Sequence, residues 1–517
     1  MNFMTHLDLS FPAQLSLALL PDLLLMGGAM ILLLWAAWRP ESARHQRSVG
    51  AACLGLIVLT TIAIGWFMYR HVTATPGPIA VDRFRWIADL VLLLGTAGTI
   101  ALSMDYNERE GIFAPESHVL ILLATSGMML LAAARDLMIV FLGIETMSVA
   151  TYVLAGMNRR SPRSAEAAMK YFLLGAFSTA FLLYGMALVY GATGATNLSV
   201  IGDRVMRFGL TTSPLLLTGI ALMLVGFGFK VAAAPFHMWA PDVYEGAPTP
   251  ITGYMAAAVK AAAFAAFLRI WYEAFTPVYA SWHNAVWWLA AVTMAVGNII
   301  ALRQRDLKRL LAYSSIAHAG YLLVALTVNS PAGSEAFLFY AFVYTIATMG
   351  SFAVVVALGD PGERSLNVDD YAGLWTVRPW LAVAMAVFML ALLGFPVFGG
   401  AGFFAKWYVI RAALQAPSPH WKLAVILVLT SVISAGYYLY VVMVMFMRPR
   451  VASAAIPARS RGLTGFVIAA SAVLLIVLGF FPERLVRLTE GSAPYGALTV
   501  PATSSAVPLP SLPPARR

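Results

Sequence analysis

Fourteen apolar runs, most of them about twenty residues long, succeed one another along this 517-residue chain with only short polar stretches between them. A helix of about 20 residues crosses a hydrocarbon core of roughly 30 Å, because each residue advances the axis by about 1.5 Å. Within lipid every backbone N–H and C=O must find its partner inside the segment, and a helix meets that condition by itself. The chain is therefore expected to be an all-α polytopic membrane protein with about 14 transmembrane helices. The runs fall at about 15–38, 48–70, 85–104, 117–134, 137–157, 164–191, 213–239, 250–274, 285–302, 309–329, 335–358, 380–413, 422–447 and 463–481. Composition agrees: 60% of residues are hydrophobic and 11% charged, where a soluble domain carries about a quarter charged.

The formal charge of +10 would suggest nucleic acid as a partner of a soluble chain. Here the basic residues gather in short loops, as the positive-inside rule describes, so the lipid bilayer is the expected partner and nucleic acid is not. Loops after odd-numbered runs carry Arg39/Arg44/Arg47, Arg159/Arg160/Arg163, Arg303/Arg305/Lys308/Arg309 and Arg448/Arg450/Arg459/Arg461. This assigns those loops to the cytoplasm and both termini to the opposite side of the membrane, although Arg70, Arg83 and Arg85 blur the contrast. Cys53, the single cysteine, can form neither an intrachain disulfide nor an iron–sulfur centre. The first run is too long for the core of a signal peptide and is expected to be a retained helix. The tail from about 491, rich in Pro, Ser and Ala, is expected to be disordered.

Four charges lie deep inside these runs: Glu145, Lys230, Lys260 and Lys406. A charge at the bilayer centre costs roughly 2.5–3.5 kcal/mol on insertion scales, so such residues usually mark ion or proton pathways. Glu145 comes ten residues after Arg135, about 15 Å along a helix, and is expected to partner a buried lysine. Lys260 is equally deep, with small alanines on both sides. Snorkelling explains membrane lysines close to a helix end; it strains for Lys230 and Lys260, and Lys406 is intermediate. Lysine suits proton relay because desolvation loosens its hold on a proton and a nearby carboxylate tightens it. His237 and His318 are candidate bridges between the lysines, with a satisfied core histidine as the rival reading. Lys170, near the start of the sixth run, is a further candidate for which snorkelling is the rival.

Two runs carry helix breakers beside a lysine. The seventh reads Lys230-Val-Ala-Ala-Ala-Pro235-Phe-His237, and the twelfth reads Gly394-Phe-Pro396-Val-Phe-Gly399-Gly400-Ala-Gly402 before Lys406. Proline removes a helix hydrogen bond and glycine lets the chain unwind. Broken helices in corresponding halves point to a site built from inverted repeats. Arg135-Asp136-Leu137 recurs as Arg305-Asp306-Leu307, 170 positions later, and Lys230 and Lys406 stand 176 apart. These offsets suggest that runs 4–8 and 9–13 are duplicated five-helix units. No dinucleotide or Walker motif and no haem or metal pattern occurs outside the membrane runs. Redox or nucleotide energy is thus expected to come from other chains.

The segments FLGIETMSVATYVL, SAEAAMKYFLLGAFSTAFLLYG, GFKVAAAPFHMWAPDVYEGAPTPITGYM, RDLKRLLAYSSIAHAGY and LLGFPVFGGAGFFAKW resemble the antiporter-like membrane subunits of respiratory complex I. The likeness covers roughly residues 90–450. It is strongest to the branch that carries lysine where Lys406 stands; a sister branch carries glutamate there. The resemblance implies about 14 transmembrane helices with two inverted five-helix repeats and two discontinuous helices. Its domain reading is three N-terminal helices over 1–116, repeats over 117–280 and 281–450, a last helix over 451–490 and the tail over 491–517. It also implies a midplane proton-translocation chain with Glu145, Lys230, Lys260 and Lys406 in the family's charged positions. Other membrane and peripheral subunits, above all sister antiporter-like ones, are the implied partners. NADH, FMN, iron–sulfur clusters and a quinone are implied in those other subunits, with no catalytic, cofactor or metal residue in this chain. The function expected is proton translocation coupled to quinone reduction elsewhere in the complex. The alternatives are a subunit of a multi-subunit cation/proton antiporter, a scaffold that translocates nothing, and a solute carrier.

Overall fold

The computed structural model of the chain describes residues 6–39, 42–363, 366–396, 400–450 and 462–494. Among these residues, twelve helices are long and apolar enough to cross a membrane: Leu20–Trp38, Ala43–Tyr69, Arg83–Glu110, Glu116–Ala133, Leu137–Ala155, Pro162–Thr193, Thr249–Glu273, Thr276–Ala301, Leu307–Val328, Pro331–Leu358, Trp421–Met447 and Gly462–Phe480. Two more spans are each assembled from a pair of shorter helices, Pro214–Lys230 with Trp239–Gly246 and Pro379–Leu393 with Gly400–Gln415. Counted in chain order these make fourteen spans, the broken ones being spans 7 and 12, as the helix breakers predict. Positions 397–399 of the second break, Arg459 and Arg461, and the tail from 495 lie outside the described residues.

The two breaks end their first halves in the same way. After Lys230 the N–H of Ala233 donates to Gly228 O at 2.8 Å and that of Ala232 to Phe229 O at 3.0 Å. After Leu393, Phe395 N–H donates to Leu390 O at 3.0 Å and Gly394 N–H to Ala391 O at 3.1 Å. Both are Schellman caps, in which a residue in the left-handed region turns the chain off the helix axis. Gly394 adopts that region (φ 80°) at no steric cost, whereas Ala232 (φ 56°) does so against the strain of its Cβ. Each first half-helix therefore presents its carbonyl end, the negative pole of its dipole, inside the membrane.

A second correspondence supports duplication. Asp136 and Asn197 form an isolated antiparallel bridge, and so do Asp306 and Asn367; both members of the second pair stand 170 positions after those of the first. Leu137 N–H donates to Thr196 O at 2.9 Å and Leu307 N–H to Leu366 O at 2.8 Å. Asp136 caps span 5 through Met138 N–H, and Asp306 caps span 10 through Arg309 N–H. Spans 5 and 10 are an odd number of crossings apart, so one motif lies on each face. That is the relation an inverted repeat requires.

Spans 8 and 10 are buried along their apolar lengths, while spans 1, 2 and 14 are mostly exposed at their sides. The polar positions that matter therefore belong to the centre of the bundle. Short elements that were too brief for a periodic signal appear at the faces: the amphipathic helices Leu198–Arg207 and Pro482–Thr489, and a parallel pairing of His6–Leu7 with Thr73–Ala74.

The halves of span 12 meet at Gly402, where an added Cβ would lie 1.7 Å from Ala391 O. Gly402→Ala is expected to force the half-helices apart and to reduce the amount of assembled complex on native gels. Gly27→Ala, where nothing lies within 4 Å, should leave it unchanged.

Candidate functional site

Lys230, buried at the end of the first half of span 7, donates from Nζ to Ser148 Oγ at 2.9 Å and to Tyr152 OH at 3.4 Å. Both partners lie on span 5, one and two turns beyond Glu145 on the same helical face. Glu145 itself is half-buried at the edge of that face, beside the exposed Leu142 and Val149. The carboxylate expected at contact distance is thus replaced there by two hydroxyls. Glu145 stays near enough for charge–charge interaction with the ammonium.

Lys260 is buried in span 8 directly after one π-helical stretch, Met255–Val259. Such an extra residue per turn is common at functional sites because it re-aims the side chains that follow. Its Nζ donates to Ser315 O at 2.9 Å and contacts Ser315 Oγ on span 10. Aromatic rings link this point to Lys230. Tyr152 meets Tyr171 edge-on at 4.7 Å, Tyr171 stacks on Trp239 at 4.7 Å, and Trp239 meets Tyr244 at 5.9 Å. Tyr244 and Tyr344 both approach the Ser315 hydroxyl.

His318 lies one turn beyond Ser315. Its Nδ1 is 2.6 Å from Tyr340 OH and its Nε2 3.0 Å from Tyr438 OH, which also bonds Ser314 Oγ. An imidazole held between two hydroxyls accepts on one nitrogen and donates from the other, the arrangement a proton shuttle needs. Beyond it a cavity of about 10 Å³, lined by His318, Tyr344, Ala391, Gly402 and Lys406, separates ring from lysine. That is about the room one water requires. Lys406 donates to Leu393 O at 2.8 Å, the carbonyl end of the first half of span 12, and stands 4.8 Å from the centre of the Tyr321 ring. It is buried, so snorkelling does not describe it.

Two expected members fall elsewhere. Lys170 is ion-paired to Glu166 at 2.7 Å and to Asp242 at 2.9 Å with 40% of its side chain exposed. Asp242 in turn pairs with Arg309, so these charges tie the second half of span 7 to spans 6 and 10. His237 lies in the non-helical break, half-buried, beside the exposed Met238. Among the described residues it makes no hydrogen bond to Lys230 or Lys260. Its break turns it aside rather than between the lysines.

The buried cations divide into two kinds. Arg135 pairs with Glu273 at 2.8 Å, Arg269 with Asp82 at 2.7 Å and Glu273 at 3.0 Å, Lys308 with Glu363 at 2.8 Å, and Arg85 with Asp22. Lys230, Lys260 and Lys406 have no carboxylate within ion-pair distance among the described residues; hydroxyls and main-chain carbonyls hold them. Ser148 and Tyr152 could have been found in the sequence from their spacing after Glu145. Tyr340 and Tyr438 come from distant spans and carry no local signal.

Comparison with known proteins follows the same lines. Residues 134–434 match the family described as NADH:quinone oxidoreductase/Mrp antiporter, TM. A protein of Gemmatimonas aurantiaca named NADH-quinone oxidoreductase subunit N is 52% identical over 95% of both chains. A chain of respiratory complex I from Thermus thermophilus superposes with a TM-score of 0.76 at 37% identity, covering 90% of this chain and 98% of that one. A chain of the Mrp complex from Dietzia sp. shares the fold, with a TM-score of 0.77 at 22% identity over 91% of this chain and 96% of its own. The chain belongs to the NADH-quinone oxidoreductase subunit N family, within the antiporter-like membrane subunits of respiratory complex I.

Proposed function

We propose that this subunit carries protons along Lys230, Lys260, His318 and Lys406 when quinone is reduced elsewhere in the complex. One observation carries the reading: among the described residues, these three buried amines are the ones that no carboxylate clamps. An ion pair in a low-dielectric interior holds its proton, because breaking it strands a charge. An amine held by hydroxyls and carbonyls can gain or lose a proton without stranding a counter-charge, and the fixed dipoles remain. From Lys260 to Lys406 the row runs through Ser315, His318 and a water-sized gap. The repeat units over 117–280 and 281–450 would then supply one broken span each, with the lysines close to the two exposed helix poles.

Glu145 is the lever in this scheme. A half-exposed carboxylate deep in a span is costly against lipid. The apolar residues around it on span 5, Met138, Leu142, Val149 and Val153, are about half-exposed. We take this face to be covered by a sister antiporter-like subunit whose movement shifts the carboxylate relative to Lys230. NADH, FMN, iron–sulfur clusters and the quinone would reside in other subunits. Charge bias in the loops supports odd loops in the cytoplasm and the termini on the opposite side of the inner membrane. A cation/proton antiporter subunit is not favoured, since the relative at 52% identity is a complex I subunit and the Mrp likeness extends to fold alone.

Lys230→Ala and Glu145→Gln are each expected to leave the complex assembled while lowering NADH-driven proton pumping by roughly tenfold, the effect of about 1.4 kcal/mol on a barrier. Pumping by both variants at the native rate in inverted membrane vesicles would end the proposal. His318→Phe should slow pumping more than Tyr438→Phe, because the first removes the shuttle and the second only one of its two hydroxyl partners. Initial rates of acidification in the same vesicles give the comparison.

A further inference from the structure

A second group of charges is buried where spans 1, 3 and 8 meet on the face that carries the N-terminus, with Arg269 nine residues beyond Lys260 along span 8. Most of it lies ahead of the matched region 134–434. Asp22 opens span 1, Arg85 and Asp89 stand in the first two turns of span 3, and Arg269 and Glu273 end span 8. Arg85, Asp89 and Arg269 are fully buried.

The charges do not balance. Arg269 donates to both oxygens of Asp82, at 2.7 and 3.0 Å, and to Glu273 at 3.0 Å, and the other oxygen of Glu273 accepts from Arg135 at 2.8 Å. Two guanidiniums thus match two carboxylates. Arg85 remains with both Asp22 and Asp89. It pairs with Asp22 and donates to the carbonyls of Ala18 at 3.2 Å and Ala80 at 2.8 Å. Its Nε stands 3.5 Å from Asp89 Oδ2 without completing a hydrogen bond. Among the described residues neither oxygen of Asp89 finds a hydrogen-bond partner, and neither does Asp22 Oδ1. One guanidinium against two buried carboxylates leaves a net negative charge in a buried site, which a proton removes.

The geometry points to Asp22, Arg85 and Asp89 as a proton-binding site that exchanges with water on this face and is separate from the lysine row. A cleft of about 550 Å³ opens beside it, lined by His6, His71, Asp82, Arg83, Trp86 and Arg135. Ala80, which accepts from Arg85, also lines the cleft, and Trp86 lies 4.3 Å beneath the guanidinium. The charged groups facing Asp89 are Arg85 on its own helix, Asp22 from span 1 and Arg269 from span 8. Asp82, Glu273 and Arg135 stand behind Arg269 and fix its charge. A hydronium ion in the cleft gives its proton to the carboxylate pair and leaves as water; the reverse step releases it. A sodium ion is disfavoured because Arg85 already brings one positive charge to the two carboxylates, and a single proton is enough to balance the rest.

Infrared difference spectra of the purified, assembled complex test the site. The wild type minus D89N spectrum should show the loss of one carboxylic-acid C=O band that shifts to lower frequency in D₂O. D22N should remove or move the same band, because the two carboxyls share the proton. K260A should leave it in place, which separates this site from the lysine-row proposal. If D89N does not assemble, D89E should move the band to a new frequency. A spectrum in which neither aspartate variant changes a protonated carboxyl band overturns the proposal. Disappearance of the band on adding sodium at constant pH overturns it in favour of a metal cation.

Discussion

Taking an ammonium or guanidinium out of water costs several kcal/mol even after the protein relaxes around it, and this chain meets that cost in two ways. Arg135, Arg269 and Lys308 are each clamped by carboxylates, which makes them permanent charges that join spans and loops. Lys230, Lys260 and Lys406 are held by Ser148, Tyr152, Ser315 and the carbonyl of Leu393. Such partners stabilise a positive charge without demanding one. The division separates the framework of the bundle from the row on which its proposed function rests.

The fold exists to supply those partners inside lipid. Main-chain carbonyls without a partner in their own helix occur where a helix ends, and helices that end in the membrane interior need a cap. The Schellman caps at Ala232 and Gly394 do this in spans 7 and 12. Gly402 allows the two halves of span 12 to approach so closely that Lys406 reaches Leu393 O. The paired bridges Asp136–Asn197 and Asp306–Asn367 show the same local device used on both faces. A break and a lysine in each half follow from one duplicated plan.

Much of this was legible in the sequence because lipid imposes a simple rule on long apolar runs. The fourteen spans, the two breaks and the deep lysines follow from run length, from Pro235 and Gly394, and from the cost of a buried charge. The immediate partners were less legible. The sequence leads one to expect Glu145 against a buried lysine, yet it is Ser148 and Tyr152 of span 5 that reach Lys230. Lys170 is a candidate in the sequence whose place near a helix start also allows snorkelling; it is a half-exposed strut because Asp242 of the second half of span 7 folds back onto it. The cage around His318 joins spans 10, 11 and 13, a juxtaposition that no local pattern encodes. The amphipathic helix Leu198–Arg207 is too short to stand out beside runs twice its length.

The central claim is that the unclamped amines change protonation while the clamped ones do not. Nitrogen-15 NMR of the complex carrying labelled lysine, with resonances assigned through single Lys→Arg replacements, reads this directly. Spectra would be compared between the oxidised resting enzyme and the enzyme held under turnover. The account predicts that at least one of Lys230, Lys260 and Lys406 passes between ammonium and neutral amine while Lys308 stays an ammonium. If all three remained ammonium ions in both conditions, the row would be a set of fixed charges and the account would be contradicted.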